Sequence, residues 1–154
     1  MYREMRRKDK KLSEEDTLQV LKTAPYGMLS TVGEDNIPYG VPINFVYKDD
    51  KVFFHSGVAG HKLDNIKMND NVSFCVVTDV ETLPAEFNTK FKSVIIFGTA
   101  EEVQEEKKVE VFKLFLEKFS PDFMESGVEY IHKASKGARI FQINIEHMTA
   151  KGKI

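Results

Sequence analysis

A chain of 154 residues, 42% hydrophobic and 30% charged, is long enough to bury a core and too apolar to stay disordered. Its net charge of −2 lacks the basic excess of a general nucleic-acid binder, and no apolar run approaches the roughly 20 residues that span a bilayer. One cysteine, Cys75, excludes an internal disulfide and fits a reducing cytoplasm. The expectation is a single domain over 1–154, cytoplasmic, with neither a membrane nor a nucleic acid as partner.

The N-terminus carries charges with no apolar core behind them, so it does not read as a secretory signal. Residues 1–12 form a basic arm (Arg3, Arg6, Arg7, Lys8, Lys10, Lys11), either solvated or in contact with an acidic cofactor or partner chain. Ser13-Glu14-Glu15-Asp16 has the pattern of a helix start, a hydroxyl for a free N–H and acids in the first turn. The helix runs to Thr23, and Pro25 stops it. A strand follows over 27–32, then a turn at Gly33-Glu34-Asp35-Asn36. Residues 37–47 alternate: Ile37, Tyr39, Val41, Ile43, Phe45 and Tyr47 share one face, and Pro38, Gly40, Pro42, Asn44 and Val46 the other. Lys48-Asp49-Asp50 turns the chain into a strand over 51–55, making a hairpin.

Further on, a helix is expected over 61–69, a strand over 71–78, an irregular segment over 81–91 and a long strand over 92–103. The centre of that strand, Val94-Ile95-Ile96-Phe97, is apolar on both faces and belongs in a core or an interface. Helices follow over 105–119 and 123–133, then a strand over 139–146. The first of these helices has a second apolar face (Val111, Leu114, Phe115), to be covered either by its own chain or by another subunit. The fold class is α+β and mainly β, and short antiparallel strands with Gly and Pro at corners point to a small barrel.

Two segments carry chemistry. Phe54-His55-Ser56-Gly57-Val58-Ala59-Gly60-His61-Lys62 reads as a strand end, a Gly-bounded loop and a helix start. Free N–H groups at a helix start, with a hydroxyl and cationic side chains beside them, seat a phosphate. An ordinary strand–loop–helix junction with a surface lysine has the same pattern. Gly40-Val41-Pro42-Ile43-Asn44 leaves its backbone open to a flat ring, and Asn44 both donates and accepts. It reads equally as an edge strand, since prolines cannot donate to a ladder. Lys92-Ser93 presents polar groups at the start of the apolar strand. His55 and His61 match no metal-ligand spacing, so no metal is expected. Cys75 reads as a buried strand residue, and no catalytic residue stands out.

Taken together, Met5-Arg6-Arg7, Tyr26-Gly27, Pro38-Tyr39-Gly40-Val41-Pro42-Ile43-Asn44, Phe54-His55-Ser56 and Gly60-His61-Lys62-Leu63-Asp64 resemble the nitroimidazole-resistance branch of the pyridoxamine 5′-phosphate oxidase-like flavin proteins. The resemblance covers nearly the whole chain and is strongest over 26–78. It implies an FMN-binding split β-barrel with flanking helices, homodimeric, with the flavin at the subunit interface and a small molecule as substrate. By resemblance, Gly40 to Asn44 line the flavin ring and ribityl chain, His55, Ser56, His61 and Lys62 hold the phosphate end, and Lys92-Ser93 lie near the ring's polar edge. Relatives often have Arg where His61 stands and Gln where Ser93 stands. The chain has no Trp and lacks the C-terminal Trp and Arg pair of pyridoxamine phosphate oxidases, so that reaction is not expected. The implied activity is an FMN-dependent oxidoreductase acting on nitroaromatic compounds, 5-nitroimidazoles among them, or on quinones. FAD or a deazaflavin in place of FMN, a deazaflavin-dependent reductase, and a flavin- or haem-binding module without turnover are the alternatives.

Overall fold

The computed structural model describes residues 1–153. Helix α1 (Glu14–Thr23) starts where Ser13 Oγ accepts from the Asp16 N–H at 3.0 Å, and it stops ahead of Pro25. Strands β1 (Tyr26–Val32), β2 (Pro38–Asn44), β3 (Val46–Lys48) and β4 (Lys51–Ser56) follow. Then come α2 (His61–Met68), β5 (Asn71–Leu83), β6 (Asn88–Glu102), α3 (Lys108–Phe119), α4 (Met124–Ala134) and β7 (Arg139–Lys153). Asp49 and Asp50 both take positive φ (51° and 59°), the backbone of a two-residue hairpin turn, and join β3 to β4.

The strands form one antiparallel sheet in the order β2-β1-β5-β6-β7-β4-β3. Its two margins, β2 and β3, are consecutive in the chain and joined by Phe45 alone. Neighbouring Cα atoms lie about 3.8 Å apart, so the margins must meet at Phe45 and the sheet closes on itself. Elsewhere the margins carry no ladder to one another. The result is a split β-barrel with flanking helices, α+β and mainly β.

Leu29, Phe74, Val76, Val94, Ile96 and Ile143 fill the interior, all fully buried. Phe45 sits among them, its ring edge-on to Phe74 at 5.0 Å. Val20 and Leu21 of α1 and Leu63 and Ile66 of α2 join the same core. A second apolar layer lies outside: Val111 and Phe115 of α3 pack on Val46, Phe53 and Ile140.

Three elements depart from the sequence expectation, and one open alternative is decided. The single strand over 37–47 breaks at Phe45, because there the chain leaves β1 as its partner and takes up β4. The irregular 81–91 is a hairpin: β5 runs on to Leu83 and β6 begins at Asn88, past a bulge between Thr78 and Glu81. Strand β7 extends to Lys153, pairing with β6 as far as Phe91. The second apolar face of helix 105–119 is covered by its own chain: Val111 and Phe115 meet the sheet, with Leu114 packed against them.

Candidate functional site

The nominated residues gather along the split. β2 forms one wall, and β4, the loop 57–60 and the start of α2 form the other. At one end the rings of Tyr39 and His61 stack, with centroids 4.0 Å apart. At the other end Asn44 and His55 border one cleft.

The loop end has the makings of an anion seat. Gly60 takes φ +153° and ψ 169°, a backbone region essentially confined to glycine. Nothing lies within 4 Å of where a Cβ on Gly57 or Gly60 would stand. Helix α2 has no side-chain cap. The Leu63 and Asp64 N–H groups both donate to Gly60 O at 3.1 Å, which leaves those of His61 and Lys62 without an intrahelical acceptor. Lys62 makes no ion pair among the described residues. Ser56 is 7% exposed, and its hydroxyl has no hydrogen-bond partner. A buried hydroxyl left unpaired costs about 1–3 kcal/mol, so the orphan beside an uncapped helix start marks a place built for an acceptor. A phosphate supplies acceptors for every one of these donors, and on this observation the residues fit a phosphorylated ligand.

Of the strand residues, Gly40, Pro42 and Asn44 point outward and are exposed, whereas Val41 and Ile43 turn inward against the core. The latter two therefore offer the split only their backbone. Asn44 Nδ2 donates to Pro25 O at 2.7 Å, which fixes its amide and leaves Oδ1 as an acceptor. The His55 ring stands edge-on to Phe115 at 4.9 Å. Desolvation, and then repulsion from Lys62, lower its pKa below the usual 6.5, so the imidazole is neutral at neutral pH.

Lys92 and Ser93 do not join this group within one chain. They lie on β6, two strands from β4 and three from β2. Lys92 Nζ is already 3.7 Å from Asp79 and 3.9 Å from Asp16, and Ser93 is buried. Cys75 is half-buried and its thiol is pushed up by burial, so it is no thiolate nucleophile.

Sequence reasoning missed Arg139. It stands opposite Ser56 in the β4–β7 ladder, donates to Val58 O at 3.2 Å and binds the Glu102 carboxylate at 2.6 and 3.2 Å. It thereby pins the loop of the anion seat from 81 residues away, a separation no local pattern spans. Its only signal was an arginine opening the last strand. Phe112 and Phe119 of α3 were not nominated, and the structure turns them toward the cleft.

The outer face of the sheet beyond β2 is apolar. Registers place Pro42, Met28, Cys75, Ile95 and Thr149 in one row across five strands, and Met28, Val77 and Ile95 are 39%, 50% and 37% exposed. The N-terminal arm covers one margin of that face, where Tyr2 stacks on Phe97 and His147 at 5.1 and 5.4 Å. Among the described residues no group of three His, Cys, Asp or Glu is placed to hold a metal, and no helix is long and apolar enough to cross a membrane.

A family model described as pyridoxamine 5′-phosphate oxidase matches residues 13–152. A search of the curated proteins finds no match. Among solved structures, a conserved hypothetical protein from Mycobacterium tuberculosis superposes with a TM-score of 0.83 at 17% identity, over 97% of this chain and 90% of that one. A candidate 5-nitroimidazole antibiotic resistance protein from Bacteroides thetaiotaomicron gives 0.74 at 18% identity, over 91% and 84% of the two chains. An FAD and haem binding protein from Mycobacterium smegmatis gives 0.71 at 18% identity, over 92% and 71%. At such identities the likeness is one of fold.

Proposed function

This chain belongs to the pyridoxamine 5′-phosphate oxidase family, and from that premise we propose that it is an FMN-binding oxidoreductase whose electron acceptors are nitroaromatic compounds or quinones. The observation that carries the reading is the anion seat: the unpaired Ser56 hydroxyl beside the uncapped start of α2 and the unpaired Lys62. These groups, with His61, hold the phosphate of the flavin, and the outward surface of Gly40, Pro42 and Asn44 receives its ring. Arg139 keeps the loop in place through Val58. When bound, the flavin supplies the electron chemistry, and the protein contributes binding, orientation and electrostatics.

The second part of the proposal is a homodimer. The apolar row through Met28, Cys75 and Ile95 borders Pro42 on β2, and a second copy covering that row adjoins the ring. Lys92-Ser93 sit on the same sheet and reach a flavin only across such an interface.

The test begins with the purified protein. A yellow colour with flavin absorption bands in the visible spectrum is the optical signature of such a cofactor. Lys62→Ala is expected to weaken FMN binding about tenfold or more in a titration, as for the loss of one charge-assisted hydrogen bond at about 1.5–3 kcal/mol. Protein that is colourless and takes up no FMN sinks the reading. Reduction of bound flavin by a nicotinamide donor and reoxidation by a 5-nitroimidazole separate an enzyme from a flavin- or haem-storing module.

A further inference from the structure

The cleft at the Asn44 end of the split shares none of the anion seat's donors, and its chemistry is different. It encloses about 500 Å³, within the range of small-molecule sites. Phe112, Phe115 and Phe119 of α3 form one wall, and Tyr130, Ile131 and Ala134 of α4 form the other. Phe115 and Phe119 stack at 6.2 Å with their planes 19° apart, and Tyr130 and Phe119 remain exposed at the mouth. No Asp, Glu, Lys or Arg lines the cleft. His55 and Asn44 line it together with the hydroxyl-bearing Ser120, Tyr130 and Ser135. The Asn44 amide is oriented by Pro25 O, so its free Oδ1 accepts, and an imidazole edge-on to Phe115 presents one donor and one acceptor.

We infer that this cleft binds uncharged planar aromatic compounds, ring between the α3 and α4 walls and polar edge on His55 and Asn44. Calling such a compound the electron acceptor rests on the flavin reading above; the binding itself does not. Aromatic walls reward a flat ring by area and by stacking beyond burial alone. A charge would be stripped of water with no countercharge to meet it. His55 is kept neutral by its surroundings and so adds no fixed charge to the floor. Selection therefore runs by shape and neutrality, with one polar edge fixing the orientation.

The experiment is a methyl NMR titration of the full chain, with and without FMN, using duroquinone, a neutral planar quinone with every ring carbon substituted. The Leu116, Ile131 and Ala134 methyl signals should shift saturably. Lawsone, a hydroxyquinone that is anionic at neutral pH, should bind at least tenfold more weakly. Ala134→Trp fills the cleft without touching the anion seat and should weaken duroquinone at least tenfold while FMN binding stays unchanged. Unmoved methyl signals in the unsubstituted protein, or equal affinity for lawsone, overturn the inference, and neither result depends on the variant folding. Protein that takes up no flavin yet shows the shifts supports the cleft and defeats the flavin reading. Flavin-loaded protein with unmoved methyl signals does the reverse.

Discussion

Ser56 separates what stabilises the fold from what serves a ligand. Its hydroxyl is buried and unpaired, so in the empty protein it is a cost rather than a contact. Ser56→Ala should leave the flavin-free protein as stable or up to about 1 kcal/mol more stable, since an orphaned polar group is removed. The same change should weaken FMN binding several-fold. Melting of the flavin-free form together with an FMN titration checks both halves, and a variant that destabilises the fold without touching affinity would show the hydroxyl to be structural. His55 and Lys62 belong to the same scale. Burial, and then repulsion from Lys62, lower the pKa of His55, so a bound anion that neutralises Lys62 removes only the smaller of the two causes.

Helix α3 shows how one element serves both core and site. Val111 and Phe115 hold it to the barrel, and Phe112, Phe115, Leu116 and Phe119 line the cleft beside them. Lys118 fastens its C-terminal turn: Nζ donates to Phe45 O at 2.8 Å and lies 3.9 Å from the Phe45 ring centroid. Burial pushes its pKa down from 10.5 to about 8. Between those values the unfolded chain keeps a proton that the folded protein has released, so stability rises with pH across that window and is lost as pH falls through about 8. Chemical denaturation from pH 8 to 10.5 should show this slope in the natural chain and not in Lys118→Met. Equal slopes in the two proteins would refute it. The lysine had no legible role in the sequence, because its partner is a backbone carbonyl 73 residues away. Periodicity did place the helix, and it could not tell the sheet-facing stripe from the cleft-facing one, since both are apolar.

For the molecule as a whole, the sequence carried most of the fold and one wall of the site. Alternation over 37–47 revealed a strand with an outward surface of Pro, Gly and Asn, but not the change of partner at Phe45, which is a property of closure rather than of local pattern. The loop 57–60 and α2 were legible because glycine and a helix start act locally. The Arg139 anchor and the aromatic cleft were not, because each unites segments far apart in the chain. Assembly belongs to this scale too. Ile95→Asp puts a charge at the centre of the apolar row and should convert a dimer to monomer in sedimentation, with loss of flavin and an intact fold by circular dichroism. A variant that remains dimeric, or a natural chain that sediments as monomer, removes the second-copy proposal.

The single residue that joins the two margins of the sheet is also the closed end of the split. From Asn44 back to Pro38, β2 is paired with β1 and has no ladder across the split, so an opening that parts the two lips breaks no ladder between them. Openings of that kind are the low-energy fluctuations that amide hydrogen exchange reports. The backbone amides of β2 and of β1 opposite it should therefore exchange well before those of β5 and β6, and FMN should slow them selectively by bridging the two lips. On the flavin reading, a ligand held in the split should stand in for the missing rungs of the ladder.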